Sequence, residues 1–173
     1  MANTASISVN ATLLPDEISK ILDTITVTYS PSDATEGWYY QLTDIQTSSR
    51  DLIRDKSFLQ KGSSSSQGGV DTVASVDTID GSSDNVKFLF IKHTSVQGDG
   101  TGNTADSIYI VLDAGAAAYT STDSIEIGPG ECWFGKLNTP VADIHCVSDQ
   151  KDRGSGSPQG DIQALVFAII DDL

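Results

Sequence analysis

Short blocks of β-branched, aliphatic and aromatic residues recur about every dozen residues, and this spacing constrains the fold more than any other feature. The second half contains the blocks VKFLFIKH, SIYIVLDAG, DSIEIGPGECWFGKL, DIHCVS and DIQALVFAIIDD, separated by turn sequences such as DGSSDN, GDGTGN and GSGSPQG. Evenly spaced short strands, glycine-rich turns and little helical periodicity predict an all-β, antiparallel architecture. Because about eight to ten strands are typical of a jelly roll, we expect a jelly-roll-like β-sandwich with little helix.

The N-terminal residues 1–14 are mostly polar and have their own pattern. Ile7 and Val9 alternate with polar residues, which is the period of a strand, and the segment ends near Leu13. We therefore predict an extended N-terminal arm over residues 1–14 that can add a strand to a neighbour. The following PDEISKIL sequence favours one or two helical turns, because acidic residues follow a proline and precede an apolar face.

The remaining residues, 15–173, are predicted to form a single β-sandwich domain. A chain of 173 residues is long enough to bury one substantial core without further staples. The sequence KGSSSSQGG is flexible by composition and predicts an exposed Gly/Ser loop near residues 62–69. Strand-like sequence resumes on both sides of this loop, so it does not mark a domain boundary.

Two blocks, KFLFI and ALVFAII, are nearly continuous in apolar residues. Such runs are typical of central strands that are covered on both faces. The predicted core residues from these blocks are Phe88, Phe90, Leu165, Phe167 and Ile169. In the block WYYQLTDIQ, alternation predicts Trp38 and Tyr40 on one face and Tyr39 on the other, which favours packing over sugar stacking.

The chain is strongly acidic, with 10 Lys and Arg against 24 Asp and Glu and a net charge of -14. This charge repels phosphate backbones and anionic lipid surfaces, so we expect neither a nucleic-acid nor a membrane partner. The segment RDLIRDKSFLQK contains four of the ten basic residues, Arg50, Arg54, Lys56 and Lys61. It forms either a solvated loop or short helix balanced by its own aspartates, or a docking surface.

Residues that could carry chemistry are few. His145 and Cys146 are adjacent, so in a strand they point to opposite faces and cannot form a nucleophile-base pair. We expect structural histidines at His93 and His145, two reduced and buried cysteines at Cys132 and Cys146, no cofactor and no catalytic residue. Oxygen donors at residues 98–106 resemble a calcium loop only in part, and the same sequence fits a long hairpin connection. The N-terminus lacks the pattern of a signal peptide, which favours synthesis in a cytoplasm.

The motif series of residues 86–173 is the most informative for function. A strand with IEIGPGE leads to the aromatic pair WF, then to ADIHCVS and finally to QALVFAIIDD. This series resembles small virion structural proteins of tailed bacteriophages, in particular those of marine and cyanobacterial phages. In physical terms, Gly128, Pro129 and Gly130 turn the chain and Trp133 and Phe134 re-enter the sheet.

The resemblance implies a non-enzymatic capsid decoration, or cement, protein on the virion surface. Its partner would be the phage major capsid protein, whose outer lattice it would bind and stabilise, and its oligomeric state would be a homotrimer. The predicted partner-binding residues are Ile7, Val9, Leu13, Arg50, Arg54, Lys56 and Lys61. The alternatives are a phage tail or fibre adaptor, a carbohydrate-binding tip protein and, from another class, a jelly-roll enzyme such as a sugar isomerase or lyase.

Overall fold

The computed structural model describes residues 5–12, 21–29, 36–54, 59–61, 76–98, 106–118, 122–148 and 161–171. They form twelve strands, and the only helical element among them is a single 3-10 turn at Val141–Asp143. The strands are β1 (Ala5–Thr12), β2 (Ile21–Tyr29), β3 (Glu36–Ile45), β4 (Arg50–Asp51), β5 (Leu59–Lys61), β6 (Val76–Asp77), β7 (Asn85–Gln97), β8 (Ile108–Val111), β9 (Ile125–Ile127), β10 (Cys132–Pro140), β11 (His145–Ser148) and β12 (Ile162–Asp171).

The strands form two antiparallel sheets and a separate hairpin. The six-stranded sheet has the order β10-β7-β12-β3-β5-β6, and the four-stranded sheet has the order β4-β11-β8-β9. Strand β3 pairs with β12, β4 with β11, β7 with β10 and β8 with β9. These pairs are nested along the chain: the first pair encloses the second, the second encloses the third, and the innermost pair consists of the consecutive strands β8 and β9. Nested antiparallel pairing of this kind is the topology of a jelly roll. The predicted all-β jelly-roll sandwich is confirmed.

The core lies between the two sheets. Its fully buried side chains come from alternate positions of the paired strands, as the pleat requires. From the six-stranded sheet they include Leu89, Ile91, Val166 and Ile170, and from the four-stranded sheet Ile108, Ile110, Ile127 and Cys146.

The GPGE sequence carries the chain from one sheet to the other. The Glu131 amide donates to the Gly128 carbonyl oxygen at 3.0 Å, which closes a four-residue turn. Gly130 has a φ of 79°, the left-handed conformation that the third position of a type II turn requires, and Pro129 precedes it. Strand β9 precedes this turn in the four-stranded sheet, and β10 follows it in the six-stranded sheet. The predicted turn and the re-entry of the aromatic pair are thus confirmed.

The predicted arm is one strand of a hairpin. Residues Ala5–Thr12 pair antiparallel with Ile21–Tyr29, in a register that aligns Ile7 with Val27 and Val9 with Ile25. Residues 13–20, which contain most of the predicted helical turns and Leu13, lie outside the described residues. Ile21 and Leu22, assigned to those turns from sequence, instead begin strand β2.

Candidate functional site

The outer face of the six-stranded sheet carries a row of aromatic residues. Tyr40 on β3 is directly opposite Phe167 on β12, and Phe167 is opposite Phe90 on β7. Phe134 on β10 is in turn opposite Phe90, so this aromatic row crosses four neighbouring strands. The rings of Phe88 and Phe167 pack edge to face with centroids 6.5 Å apart. Such cross-strand aromatic contacts stabilise the outer face of a sheet that the other sheet does not cover.

One end of this face exposes large apolar side chains to solvent. Tyr40 is 50% exposed, Leu42 is 53% exposed and Leu165 is 37% exposed. Leu42 and Leu165 are directly opposite each other on β3 and β12, and Tyr40 precedes Leu42 by two residues on the same face. These three residues therefore form one contiguous surface, here called the apolar patch. A contiguous apolar patch on a highly charged protein is typical of an interaction site.

Basic side chains border the apolar patch and the aromatic row. Lys92 is opposite Leu165, and Lys136 is opposite Phe88 on the far side of the row. Lys87, near the start of β7, forms an ion pair with Asp171 at 3.1 Å. Three of the ten basic residues of this acidic chain therefore lie on or beside the outer face.

Asp44 is the acidic neighbour of the patch, two residues after Leu42 on β3. Partial burial raises the pKa of its carboxyl group, the nearby Asp161 raises it further, and the Arg54 guanidinium lowers it. Arg54 also donates hydrogen bonds to the Asp44 carbonyl oxygen and, at 3.5 Å, to the hydroxyl of Thr43. The predicted partner-binding residue Arg54 is thus hydrogen-bonded to strand β3.

The predicted basic segment of residues 50–61 is divided between the two sheets. Arg50 lies in β4 at the edge of the four-stranded sheet, whereas Lys61 lies in β5 of the six-stranded sheet. Between them, Leu52 and Ile53 are fully buried in the core, so the segment is not a solvated loop or helix throughout. Arg50 is exposed, with its Nε 3.5 Å from the Ser48 hydroxyl, while Lys56 lies outside the described residues.

Both histidines are held by backbone groups. His93 is fully buried; its Nδ1 accepts a hydrogen bond from the Ser95 amide, and its Nε2 lies 2.9 Å from the Asp106 carbonyl oxygen. Burial lowers the pKa of His93. His145 Nδ1 lies 2.9 Å from the Gly115 carbonyl oxygen, and its Nε2 lies 3.4 Å from an Asp51 carboxylate oxygen. The structure therefore supports the structural role predicted for both residues.

The two cysteines are both free, but only one of them is buried. Burial raises the pKa of Cys146 to about 12, so its thiol stays protonated at neutral pH. Cys132 is exposed, which corrects the prediction that both are core residues. It is opposite Lys92 on the outer face, at the edge strand β10, and this position leaves its side chain in solvent.

No group of three or more His, Cys, Asp and Glu side chains that could hold a metal ion occurs among the described residues. Residues 99–105 of the calcium-like loop lie outside them. Likewise, no helix in the described part of the chain is both long enough and apolar enough to cross a membrane.

Sequence reasoning missed the apolar patch because it assigned part of the outer face to the core. Phe88 and Ile169 are buried as predicted, Phe90 and Phe167 are half-buried, and Leu165 is exposed. The continuous apolar run was the available signal. Such a run makes both faces of a strand apolar, but the opposite sheet covers only one of these faces. The predicted separation of Tyr40 from the fully buried Tyr39 is confirmed.

The fold and the patch together define a jelly-roll β-sandwich with an exposed apolar patch at one end of the outer face of its six-stranded sheet. Searches of protein-family models, curated proteins and solved structures find no match for this chain. Its resemblance to phage virion proteins therefore stays a prediction that rests on the sequence motifs.

Proposed function

We propose that this chain is a non-enzymatic structural subunit of a phage virion, a capsid decoration protein that binds the outer surface of the major capsid protein lattice and stabilises the head. The observation that carries the proposal is the apolar patch of Tyr40, Leu42 and Leu165. The jelly-roll fold and the motif series of residues 86–173 are consistent with it.

The apolar patch supports an assembled state because its exposed side chains are large and apolar, whereas the chain as a whole is strongly acidic. A net charge of -14 keeps separate copies soluble and apart. Three large apolar side chains, exposed side by side on paired strands, gain free energy when another protein surface covers them. The apolar centre of a protein interface supplies most of the binding energy, and charged residues at its border adjust rate and specificity.

The capsid-facing surface in this proposal is the edge of the four-stranded sheet at Arg50. Among the described residues, β4 is the edge strand of the four-stranded sheet, and an extended segment of a partner can add at such an edge. Arg50 is exposed there, and its fixed positive charge suits an acidic segment of the capsid protein.

Co-sedimentation with purified, undecorated phage heads tests the proposal. We expect the protein to pellet with the heads at a fixed stoichiometry and to raise the temperature at which they release DNA. Arg50→Glu should lower the bound fraction, whereas the matched control Lys136→Glu, an exposed cation on the other sheet, should bind like the unmodified protein. Absence of pelleting at saturating protein would overturn the capsid assignment.

A tail or fibre adaptor, or a carbohydrate-binding tip, is the second candidate. It is favoured by the half-exposed Tyr40 ring, which ends the aromatic row and could stack against a sugar ring. Binding to host surface glycans, lost in Tyr40→Ala and retained in Leu42→Ala, together with failure to pellet with heads, would favour this alternative.

A further inference from the structure

Side chains from three neighbouring strands meet around the Lys87 amine. Its Nζ atom, on β7, lies 2.7 Å from the Oδ1 atom of Asn138 on β10 and 3.1 Å from a carboxylate oxygen of Asp171 on β12. Strands β10, β7 and β12 are consecutive in the six-stranded sheet, so the amine lies between an amide and a carboxylate. A nucleophile, a carbonyl carbon and a group that accepts and returns protons are the components of an acyl transfer.

A β-bulge places Lys87 in this position. Phe88 pairs with Ile169 and Val86 pairs with Ile170, so Lys87 is an extra residue of β7 relative to β12. Bulges redirect side chains and are frequent beside active sites. The bulge therefore explains how the Lys87 side chain approaches residues of both neighbouring strands.

Strand β10 has its own irregularity at the same level of the sheet. Its pairing with β7 shifts between Lys136 and Thr139, so Leu137 and Asn138 lie opposite Lys87. Leu137 packs against the core, whereas Asn138 is exposed and contacts the Lys87 amine. The amide group therefore lies where a small leaving group can escape into solvent.

The lysine and the aspartate are largely shielded from water. The side chains of Lys87 and Asp171 are 24% and 13% exposed. Phe88, the next residue on β7, is 2% exposed, and Ile169, two residues before Asp171, is fully buried. Water stabilises charges less in such surroundings, and transfer of a proton from an ammonium to a carboxylate then gives a neutral amine. Only a neutral amine is nucleophilic.

We propose that the folded chain forms an amide bond between Lys87 and Asn138 autocatalytically. Asp171 first accepts a proton from the Lys87 ammonium, and the neutral amine attacks the Asn138 Cγ atom. The Nζ–Cγ bond forms as the Cγ–Nδ2 bond breaks. Asp171 relays the two protons that Nζ loses, so that Nδ2 leaves as ammonium. Nothing is oxidised or reduced, and the fold supplies the rate because it holds the two groups at a high effective concentration.

The cross-link fixes strand β10 to β7. Among the described residues, β10 is an edge strand of the six-stranded sheet. Lys87 and Asn138 are 51 positions apart in the sequence, so the bond also restricts the unfolded chain, as a disulfide does. This inference goes beyond the proposed function, because it concerns a covalent maturation of the chain itself.

Intact-mass spectrometry of the purified full chain tests the inference. We expect a mass below the 18.3 kDa of the sequence by one molecule of ammonia. Trypsin should then release one branched peptide that joins residues 62–92 to residues 137–151, because an acylated Lys87 is no longer cleaved. Newly synthesised chain that is quenched in guanidinium before it folds should keep the full mass and lose ammonia on refolding.

Three variants assign the roles of the residues. Lys87→Arg retains the positive charge but lacks the nucleophilic amine, so it should keep the full mass. Lys92→Arg, an exposed cation elsewhere on β7, is the matched control and should lose ammonia like the unmodified chain. Asp171→Asn should slow the mass loss at least about 100-fold, because it removes the proton acceptor. Circular dichroism of each variant separates lost chemistry from lost folding.

The full sequence mass in folded protein after prolonged incubation would overturn the inference. A loss of ammonia that persists in Lys87→Arg would do the same, because an asparagine can also lose ammonia by cyclising onto its own backbone. If Lys87→Arg does not fold, the branched peptide decides the question, since cyclisation gives no link between the two segments. Pelleting with phage heads tests the proposed function separately.

Discussion

The Nε2 atom of His93 lies 2.9 Å from the backbone carbonyl oxygen of Asp106, across the connection between β7 and β8. The other ring nitrogen, Nδ1, accepts a hydrogen bond from the Ser95 amide, so the proton of the neutral ring is on Nε2 and is donated to Asp106. Ser95 adopts a φ of 67°, and the His93 amide donates to the Glu131 carbonyl oxygen at 2.9 Å. A neutral, buried histidine thus holds the end of β7 against two neighbouring loops.

We expect stability to fall when the pH drops below the ordinary histidine pKa of 6.5. Burial lowers the pKa of His93 in the folded chain, so the unfolded chain takes up a proton that the folded chain resists, and acid favours unfolding. This group can contribute a slope of at most about 1.4 kcal/mol per pH unit. Chemical unfolding at a series of pH values from 7.5 to 5.5 measures it.

His93→Gln should remove this slope, because the glutamine amide can still donate to Asp106 but does not titrate. His145→Gln is the control and should keep the fall that His93 causes. A slope that is unchanged in His93→Gln would show that the buried imidazole is not its source.

The two thiols should differ sharply in reactivity. Cys132 is exposed, whereas Cys146 is buried with a pKa raised to about 12, and only a thiolate attacks a disulfide reagent. We expect one rapid equivalent of reaction with an aromatic disulfide in the native protein and a second only after unfolding. Cys132→Ser should abolish the rapid phase, and Cys146→Ser should retain it; the reverse pattern would contradict the assigned burial.

The sequence predicted much of the fold because its local signals agree with one another. The GPGE turn needs a glycine at a positive φ, and the sequence supplies Gly130 there after a proline. Alternation in WYYQ correctly separates Tyr39 from Tyr40. Strand existence and turn chemistry depend on residues that are close together in sequence, and a sequence pattern reports such features directly.

The candidate site was less predictable because it depends on pairing between distant segments. Leu42 and Leu165 form the patch only when β3 pairs with β12, and nothing in either strand specifies this register alone. In a continuous apolar run, period-two alternation cannot tell the inner face from the outer one, so Leu165 was assigned to the core. The division of residues 50–61 between two sheets was not predicted either, because it also depends on which distant strands pair.

Asp84→Ala should destabilise the fold by about 1–3 kcal/mol, because Asp84 is buried and its carboxylate accepts the Asp80 amide hydrogen at 2.7 Å. The Asp84 backbone carbonyl also accepts from Val141, so this turn supports the 3-10 turn before β11. Asp123→Ala, in an exposed turn, should change the free energy of unfolding by less than about 0.5 kcal/mol. Equal effects of the two substitutions in urea unfolding would argue against a structural role for the Asp84 carboxylate.

Ala114→Gly should stabilise the protein by about 1 kcal/mol, since Ala114 is exposed and has a φ of 65°. A side chain at this φ crowds the backbone, and glycine relieves that strain by more than the entropy it adds to the unfolded chain. Ala116→Gly, two residues further on in the same exposed loop and outside the left-handed region, should instead lower stability by about 0.5–1 kcal/mol. Opposite signs in thermal unfolding would confirm the left-handed conformation of Ala114, and a loss of stability in both variants would contradict it.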